Sequence, residues 1–212
     1  MMLIGMYDSP FVRPVAINLN LLKIPFEHAD WSVGKDFDQI RKYNPLGRVP
    51  TLVLDDGEAL MEASAILDYL DEQAGADRAL LPALGPDRRT ALRIIALING
   101  AAEKGRDQIY ERAFRPQEKW HQPWIDRCSQ QMHGALEELE RIAARKGDGQ
   151  WLIGSRMTRA DLMVTCIYTL LSDAVDTKLK EGLYPRLHAR VRRCESLPEF
   201  KATYVPWSAP QG

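Results

Sequence analysis

Cysteine is scarce. The chain holds three among 212 residues, Cys128, Cys166 and Cys194, an odd number, widely spaced and without a CxxC pair. A disulfide framework is therefore not expected. With only single histidines such as His133 and His188 near the cysteines, no zinc or other metal site is expected either. An excess of one charge is also missing: 28 basic residues stand against 29 acidic ones, a formal net charge of −1. Nothing in that balance favours nucleic acid or an anionic membrane surface as a partner. The apolar runs fall far short of a bilayer span. Met1 to Met6 has neither a basic n-region nor a small-residue cleavage site, so no secretion signal is expected and a reducing cytoplasm is the default compartment. There is no internal repeat and no low-complexity segment.

What is present is a change of rhythm along the chain. Leu3 to Tyr7 reads as a buried strand. Ser9-Pro10 marks a helix start, with Ser9 as N-cap and Pro10 in the first turn, and the helix runs through Val12, Val15, Ala16, Leu19 and Leu22 to about Lys23. Phe26 to Trp31 is a weaker second strand, and Asp36 to Tyr43 a short helix or turn. Asn44-Pro45-Leu46-Gly47 is turn chemistry. Thr51 to Leu54 and Glu58 to Leu60, joined by Asp55-Asp56-Gly57, form a hairpin, and Glu62 to Gln73 is a helix. A βαβ unit followed by a ββα unit implies a small mixed sheet. After a linker at 77–87 everything reads as helix: Arg88 to Phe114, Trp124 to Ala144, an apolar and central Arg159 to Leu171, then Pro185 to Cys194 and Pro198 to Tyr204. The expected organisation is an α/β domain at 1–76 and an all-α domain at 88–212.

Four segments stand out. In Tyr7-Asp8-Ser9-Pro10-Phe11-Val12-Arg13, Ser9 is either a simple helix cap or a hydroxyl that, beside free amides and the positive end of the macrodipole, holds a thiolate. In Asn44 to Leu52, Pro50 directly precedes a strand, where it cannot donate a ladder hydrogen bond. It is either an ordinary trans proline at an edge or a cis Val49–Pro50 bond that leaves the Val49 backbone free to pair with a peptide ligand. In Glu62 to Leu70, Glu62 either complements the helix dipole or meets a ligand ammonium, while the first amides of the helix hold a carboxylate. In Trp151 to Asp161, Thr158 and Asp161 are spaced as a capping box and Met157 with Leu162 as a hydrophobic staple, a folding signal.

Strand–SPFVR–helix, NPLGRVPTL, a glutamate-led AIxxYL helix and the xLxGxxxTxADL helix start occur in one order over nearly the whole chain. In that combination the sequence resembles the cytosolic glutathione transferases, and among them the bacterial members with an SPFVR-type, serine-type start. The resemblance implies a thioredoxin-like N-terminal domain that binds glutathione, and an all-helical C-terminal domain that contributes the pocket for the electrophile. It implies a homodimer and a detoxifying transferase that activates the glutathione thiolate for attack on a small hydrophobic electrophile. By position, Ser9 matches the serine that hydrogen-bonds the sulfur, with Tyr7 its rival as the activating hydroxyl. Val49 matches the residue before the cis-proline, which pairs with the cysteinyl backbone, so a cis Val49–Pro50 peptide is expected. Arg48 matches a basic position near the glycyl carboxylate, and Glu62 the acid at the γ-glutamyl end. Where the family carries serine next, this chain has Ala63. Ser64 follows about 100° further round the helix, so the loss of one hydrogen bond to a charged group is expected to weaken glutathione binding by about 1.5–3 kcal/mol.

The electrophile pocket is expected between the halves, from Phe11 and from Arg106, Tyr110 and Phe114, which repeat every four residues on one helix face. Tyr110 and Phe114 read equally well as packing residues, and Trp120, Trp124 and Trp207 read as packing. No cysteine stands at the Ser9 corner, which argues against a covalent thiol mechanism. The competing readings are a non-catalytic glutathione-fold binding protein, favoured by Ala63, and a glutathione-dependent disulfide reductase, isomerase or dehalogenase.

Overall fold

A computed structural model describes residues 1–145 and 151–208. Four short strands form one mixed sheet in the order β2-β1-β3-β4. They are β1 (Met2–Ile4), β2 (Glu27–Ala29), β3 (Thr51–Val53) and β4 (Ala59–Met61). β1 pairs parallel with β2, Leu3 opposite His28, and antiparallel with β3, Leu3 opposite Leu52. The parallel pair is joined by the crossover helix α1 (Val12–Leu22), and the short α2 (Phe37–Ile40) leads to the β3–β4 hairpin. Helix α3 (Ala63–Ala74) closes this half against α1. The order is the expected βαβ then ββα.

Several boundaries differ from the sequence reading, and two in this half have a physical reason. β1 stops at Ile4 because Gly5 turns the backbone to φ 128°. Helix α1 begins at Val12, not Pro10. Ser9 nevertheless does the work of a cap: its carbonyl accepts the amide of Arg13 at 3.1 Å and its Oγ accepts those of Phe11 and Val12. At the other end Lys23 adopts the left-handed conformation (φ 58°) that commonly closes a helix.

The rest is helical: α4 (Gly85–Ala113), α5 (Gln122–Ala144), α6 (Arg159–Ala174), α7 (Pro185–Glu195) and α8 (Pro198–Lys201). α4 starts at Gly85, inside the expected linker, with Pro86 in its first turn. α6 is the central pillar, packed against α1, α4 and α7 with Ala160, Leu162, Ile167 and Leu171 fully buried. Its start is the expected capping box: the Asp161 carboxylate accepts the Thr158 amide at 2.9 Å and hydroxyl at 2.8 Å. The same carboxylate also accepts the Leu152 amide at 2.8 Å, tying the preceding loop to the helix. α4 approaches α6 so closely that a Cβ on Gly105 would lie 2.2 Å from Leu171 Cδ2.

Buried charge joins the two halves. Arg159 at the start of α6 donates to Leu67 O at 2.8 Å and to the Asp71 carboxylate at 2.5 Å, both on α3. Asp71 in turn accepts the amides of Leu80 and Leu81 in the connecting segment. Arg13 on α1 makes a two-pronged pair with Glu195 of α7, at 2.7 and 2.5 Å, and donates to Phe200 O at 3.0 Å. Removing one partner of such a pair leaves an uncompensated buried charge, so these contacts fix the angle between the halves. Among the described residues no helix is long and apolar enough to cross a membrane.

Candidate active site

The site is built where three backbone segments meet at the end of β1. Gly5 is the meeting point. A Cβ there would lie 2.5 Å from Val12 Cγ2 and 2.7 Å from Val49 Cβ. Only glycine lets the start of α1 and the loop before β3 close on the strand this tightly, and φ 128° requires it as well.

Ser9 sits in the turn between β1 and α1. Its Oγ lies 3.3 Å from the Phe11 amide and 3.4 Å from that of Val12. Both contacts use the oxygen as acceptor, so the hydroxyl proton stays available to a ligand. The site therefore offers one O–H donor at the positive end of α1. Tyr7 lies two residues away, stacked face to face on His28 with ring centroids 3.9 Å apart. His28 Nε2 lies 2.8 Å from Gly5 O, which fixes the ring on which Tyr7 rests. Burial, and then the charge of Asp30, push the Tyr7 phenol above its ordinary value, so it stays protonated at neutral pH. The neighbouring Asp8 carboxyl is pushed up by the same two causes, with the backbone amide of Ser208 opposing them.

The second segment is the loop from Asn44 to Pro50. Asn44 is buried and organises it: its Nδ2 donates to Arg48 O at 2.9 Å and Thr51 Oγ1 at 3.1 Å, and its Oδ1 accepts the Leu46 amide at 3.0 Å. The Val49–Pro50 peptide is cis. Among the described residues the Val49 amide and carbonyl have no hydrogen-bond partner, so they present a short backbone edge to a ligand.

The third segment is the start of α3. Glu62 is not glycine, yet it lies at φ 69°, ψ 132°. That conformation costs of order 1–3 kcal/mol and is found where surrounding structure and function demand it. It turns the chain so that the Glu62 carbonyl accepts the Ile66 amide at 3.0 Å while the amides of Ala63 and Ser64 remain without partners among the described residues. The Glu62 side chain pairs with Arg48 at 3.2 Å, both about half exposed. Arg48 and Glu62 thus bring the second and third segments together. Ala63 is buried in the core at 3% exposure, and Ser64 points to solvent.

The residues expected to bind the electrophile are less closely gathered. Phe11 is half buried beside Ser9. Tyr110 and Phe114 form an edge-to-face pair with centroids 5.1 Å apart, and they are 44% and 57% exposed rather than packed against another helix. Arg106 lies 3.9 Å from Asp107. Among the described residues no hydrogen bond or ring contact joins these three to Phe11. A small cavity of about 10 Å³ does lie beside Ser9, walled by Tyr7, Asp8, Leu170, Asp173, Val205 and Trp207. Of those, the sequence had marked only Tyr7 as a site residue, and Trp207 reads there as packing. No group of three His, Cys, Asp or Glu side chains among the described residues is placed to hold a metal ion.

Comparison with known proteins gives this geometry a context. Residues 3–78 match the model of the glutathione S-transferase N-terminal domain and residues 106–204 that of the glutathione S-transferase C-terminal domain. The uncharacterised GST-like protein YibF of Escherichia coli (strain K12) is 31% identical over 140 residues, covering 66% of this chain and 68% of that protein. A probable maleylacetoacetate isomerase of Vibrio cholerae is 28% identical over 214 residues, covering 94% of this chain and 93% of that one. Among solved structures, a glutathione S-transferase of Methylobacterium radiotolerans in complex with glutathione sulfonate superposes with a TM-score of 0.89 at 27% identity, covering 100% of this chain and 97% of the other.

Proposed function

The chain belongs to the glutathione S-transferase family, and we propose that it binds glutathione across the three segments and activates its thiol for attack on a small hydrophobic electrophile. The observation that carries this reading is the Ser9 hydroxyl, whose oxygen is occupied by the Phe11 and Val12 amides at 3.3 and 3.4 Å, leaving its proton to donate. A thiolate placed there accepts that O–H and lies at the positive end of α1. Each unit by which the thiol pKa falls requires about 1.4 kcal/mol of preference for the charged form, within reach of one hydroxyl and a helix terminus. The protein supplies no covalent nucleophile; it lowers the thiol pKa and orients the sulfur.

The rest of the tripeptide follows the free groups. The Val49 amide and carbonyl pair with the cysteinyl backbone. Arg48 faces the glycyl carboxylate, Glu62 the γ-glutamyl ammonium, and the Ala63 and Ser64 amides the γ-glutamyl carboxylate. Phe11, Arg106, Tyr110 and Phe114 form the outer wall for the electrophile. In this reading residues 1–76 are the glutathione-binding domain and 88–212 the domain that completes the second pocket, with 77–87 between them. The protein acts in the cytoplasm as a homodimer. A second reading has one observation in its favour, the 28% identity to a probable isomerase over 94% of the chain. There the same thiolate adds to a cis double bond and leaves after rotation, so Ser9 keeps its role and only the second substrate changes.

The test is a calorimetric titration with glutathione, followed by turnover assays with an aryl halide, an organic peroxide, a mixed disulfide and a cis-unsaturated diketo acid. Binding with turnover of the aryl halide supports the transferase, and turnover of the diketo acid alone supports the isomerase. Binding without turnover of any of them points to a non-catalytic binding protein, and absence of binding overturns the proposal.

A further inference from the structure

The cavity beside Ser9 measures about 10 Å³, room for one water-sized group. Its wall includes Asp8, Ser9, Arg13, Thr169 and Asp173, so it is not an apolar pocket. Most of these polar groups already have partners. The Arg13 Nη atoms donate to Glu195 and to Phe200 O, and the Thr169 hydroxyl donates to Glu195 at 2.6 Å. Asp173 pairs with Lys180 at 2.8 Å and accepts the Tyr204 hydroxyl at 3.3 Å. Ser9 Oγ accepts two amides, and its proton belongs to the sulfur in the reading above. Cys166, also in the wall, is pushed up to about 12 by burial and stays a neutral thiol.

Among the ionic groups of the wall two are left over, and they are of opposite kind. Arg13 is 3% exposed, and its Nε is buried without a partner among the described residues. A buried N–H donor left unpaired is costly, and a guanidinium cannot shed that proton. Asp8 is half buried, and no side chain among the described residues donates to it. The backbone amides of Ser208, Asp8 and Ser9 support its charge, against burial and the repulsion of Asp30. Around a space for a single small group, one wall residue lacks an acceptor and another lacks a donor.

We propose that this cavity is a hydroxyl subsite for the second substrate: a hydroxyl seated there donates to the Asp8 carboxylate while its oxygen accepts the Arg13 Nε–H. The proposal rests on the glutathione reading and deepens it, because it names the class of electrophile as one that carries a hydroxyl close to the carbon under attack. A methyl group of similar size satisfies neither residue. An ammonium serves Asp8 but has no lone pair for Arg13. A carboxylate accepts from Arg13 but meets the like charge of Asp8. A hydroxyl does both. Each of its two bonds has one ionised member, which makes it stronger than a bond between neutral groups.

The experiment is calorimetry on the full chain with S-hydroxyethylglutathione, S-aminoethylglutathione and S-propylglutathione, which differ only in the terminal group. In the wild type the hydroxyethyl conjugate should bind about tenfold more tightly than the propyl one, the gain of a hydrogen bond to a charged group. Asp8→Ala is expected to bring the two to near parity. Asp8→Asn, which keeps a carbonyl acceptor without the charge, should fall between. Urea midpoints identify a variant that fails to fold; if Asp8→Ala is one, Asp8→Asn and the wild-type series decide. Equal wild-type affinity for the hydroxyethyl and propyl conjugates means that water alone occupies the cavity, and overturns the subsite. So does tightest binding of the aminoethyl conjugate, which makes the cavity a cation site, and so does a ratio that survives Asp8→Ala. Each of these leaves the transferase reading standing. A wild type that binds neither glutathione nor any conjugate overturns that reading, and the subsite with it.

Discussion

Tyr7 and His28 lie face to face, with ring planes within 5° and centroids 3.9 Å apart. The stack fixes the tyrosine as a wall of the Ser9 turn and allows the two hydroxyls to be separated cleanly. Tyr7→Phe keeps the stacked ring and removes only the phenol oxygen. Ser9→Ala removes the only side-chain oxygen among the described residues that touches the Phe11 and Val12 amides. Its stability cost is expected to be near 1 kcal/mol, as for other caps. Activity should drop by about ten- to a thousandfold, with a raised pKa for bound glutathione, as for loss of one charge-stabilising donor. A pH–rate profile with an aryl halide, run beside melting curves, checks both. If Tyr7→Phe abolishes turnover while Ser9→Ala changes neither rate nor thiol pKa, the activating hydroxyl is Tyr7.

Ala63→Ser adds the hydroxyl that the resemblance leads one to expect. The position is buried in the protein core, so the new group has no solvent to bond and depends on the ligand carboxylate. Glutathione affinity should rise about tenfold, from a hydrogen bond to a charged group of about 1.5 kcal/mol or more. The unliganded protein should gain no stability. Calorimetry and a urea midpoint without ligand measure the two effects independently.

Arg13→Met leaves the Glu195 carboxylate facing a hydrophobic side chain. The expected loss is about 3–5 kcal/mol, as for one partner removed from a buried pair. The double variant Arg13→Met with Glu195→Gln should recover part of it, because no charge is then left without a partner. Thr169, which donates to Glu195 Oε1 at 2.6 Å, keeps a hydrogen bond in the double variant. Urea unfolding of the four proteins completes the cycle.

The thiols of Cys166 and Cys194 are both pushed up to about 12 by burial, and burial raises Cys128 as well. None is a ready nucleophile. At pH 8 a thiol reagent should leave all three untouched in the native protein and label all three after unfolding. A stability change follows from the same shift. The unfolded thiols lose their protons from about pH 9, while the folded ones hold them to about 12. The unfolded state thus binds fewer protons in that window, and stability falls as pH rises through it. Cys166→Ala should flatten the decline in urea midpoint between pH 9 and 12.

Much of this fold is legible in the sequence because it rests on local signals. The three-and-four spacing of Val12, Val15, Ala16 and Leu19 specifies α1, and Thr158 with Asp161 specifies the start of α6. The cis Val49–Pro50 bond is one of two readings of a proline at a strand entrance taken alone, is the one the family resemblance implies, and is present. What sequence reasoning missed depends on distant parts of the chain. Gly5 reads as a strand residue, and only the approach of Val12 and Val49 reveals why a side chain is impossible there. Glu62 reads as an ordinary helix-start acid, and nothing local announces φ 69°. Asp8 and Trp207 carry no motif; they meet only because the segment after α8 returns to the first turn. Asn44 gave the one usable hint, since an asparagine opening a proline- and glycine-containing turn often bonds its own loop.

The pair between Arg13 and Glu195 spans 182 positions, and this separation has a meaning in time. During synthesis the turn bearing Ser9 is made among the first residues, whereas the carboxylate that neutralises the arginine beside it is made among the last. At about 5–20 residues per second the delay is roughly 10–40 s. Throughout it the first helix carries a guanidinium destined for the interior with nothing to receive it. The N-terminal half has its sheet and its hydrophobic contacts early, but the Arg13 side chain gains its carboxylate partner only when α7 docks. Docking of the Arg13 side chain is therefore a late event in the life of the nascent chain, although its codon is among the first to be read.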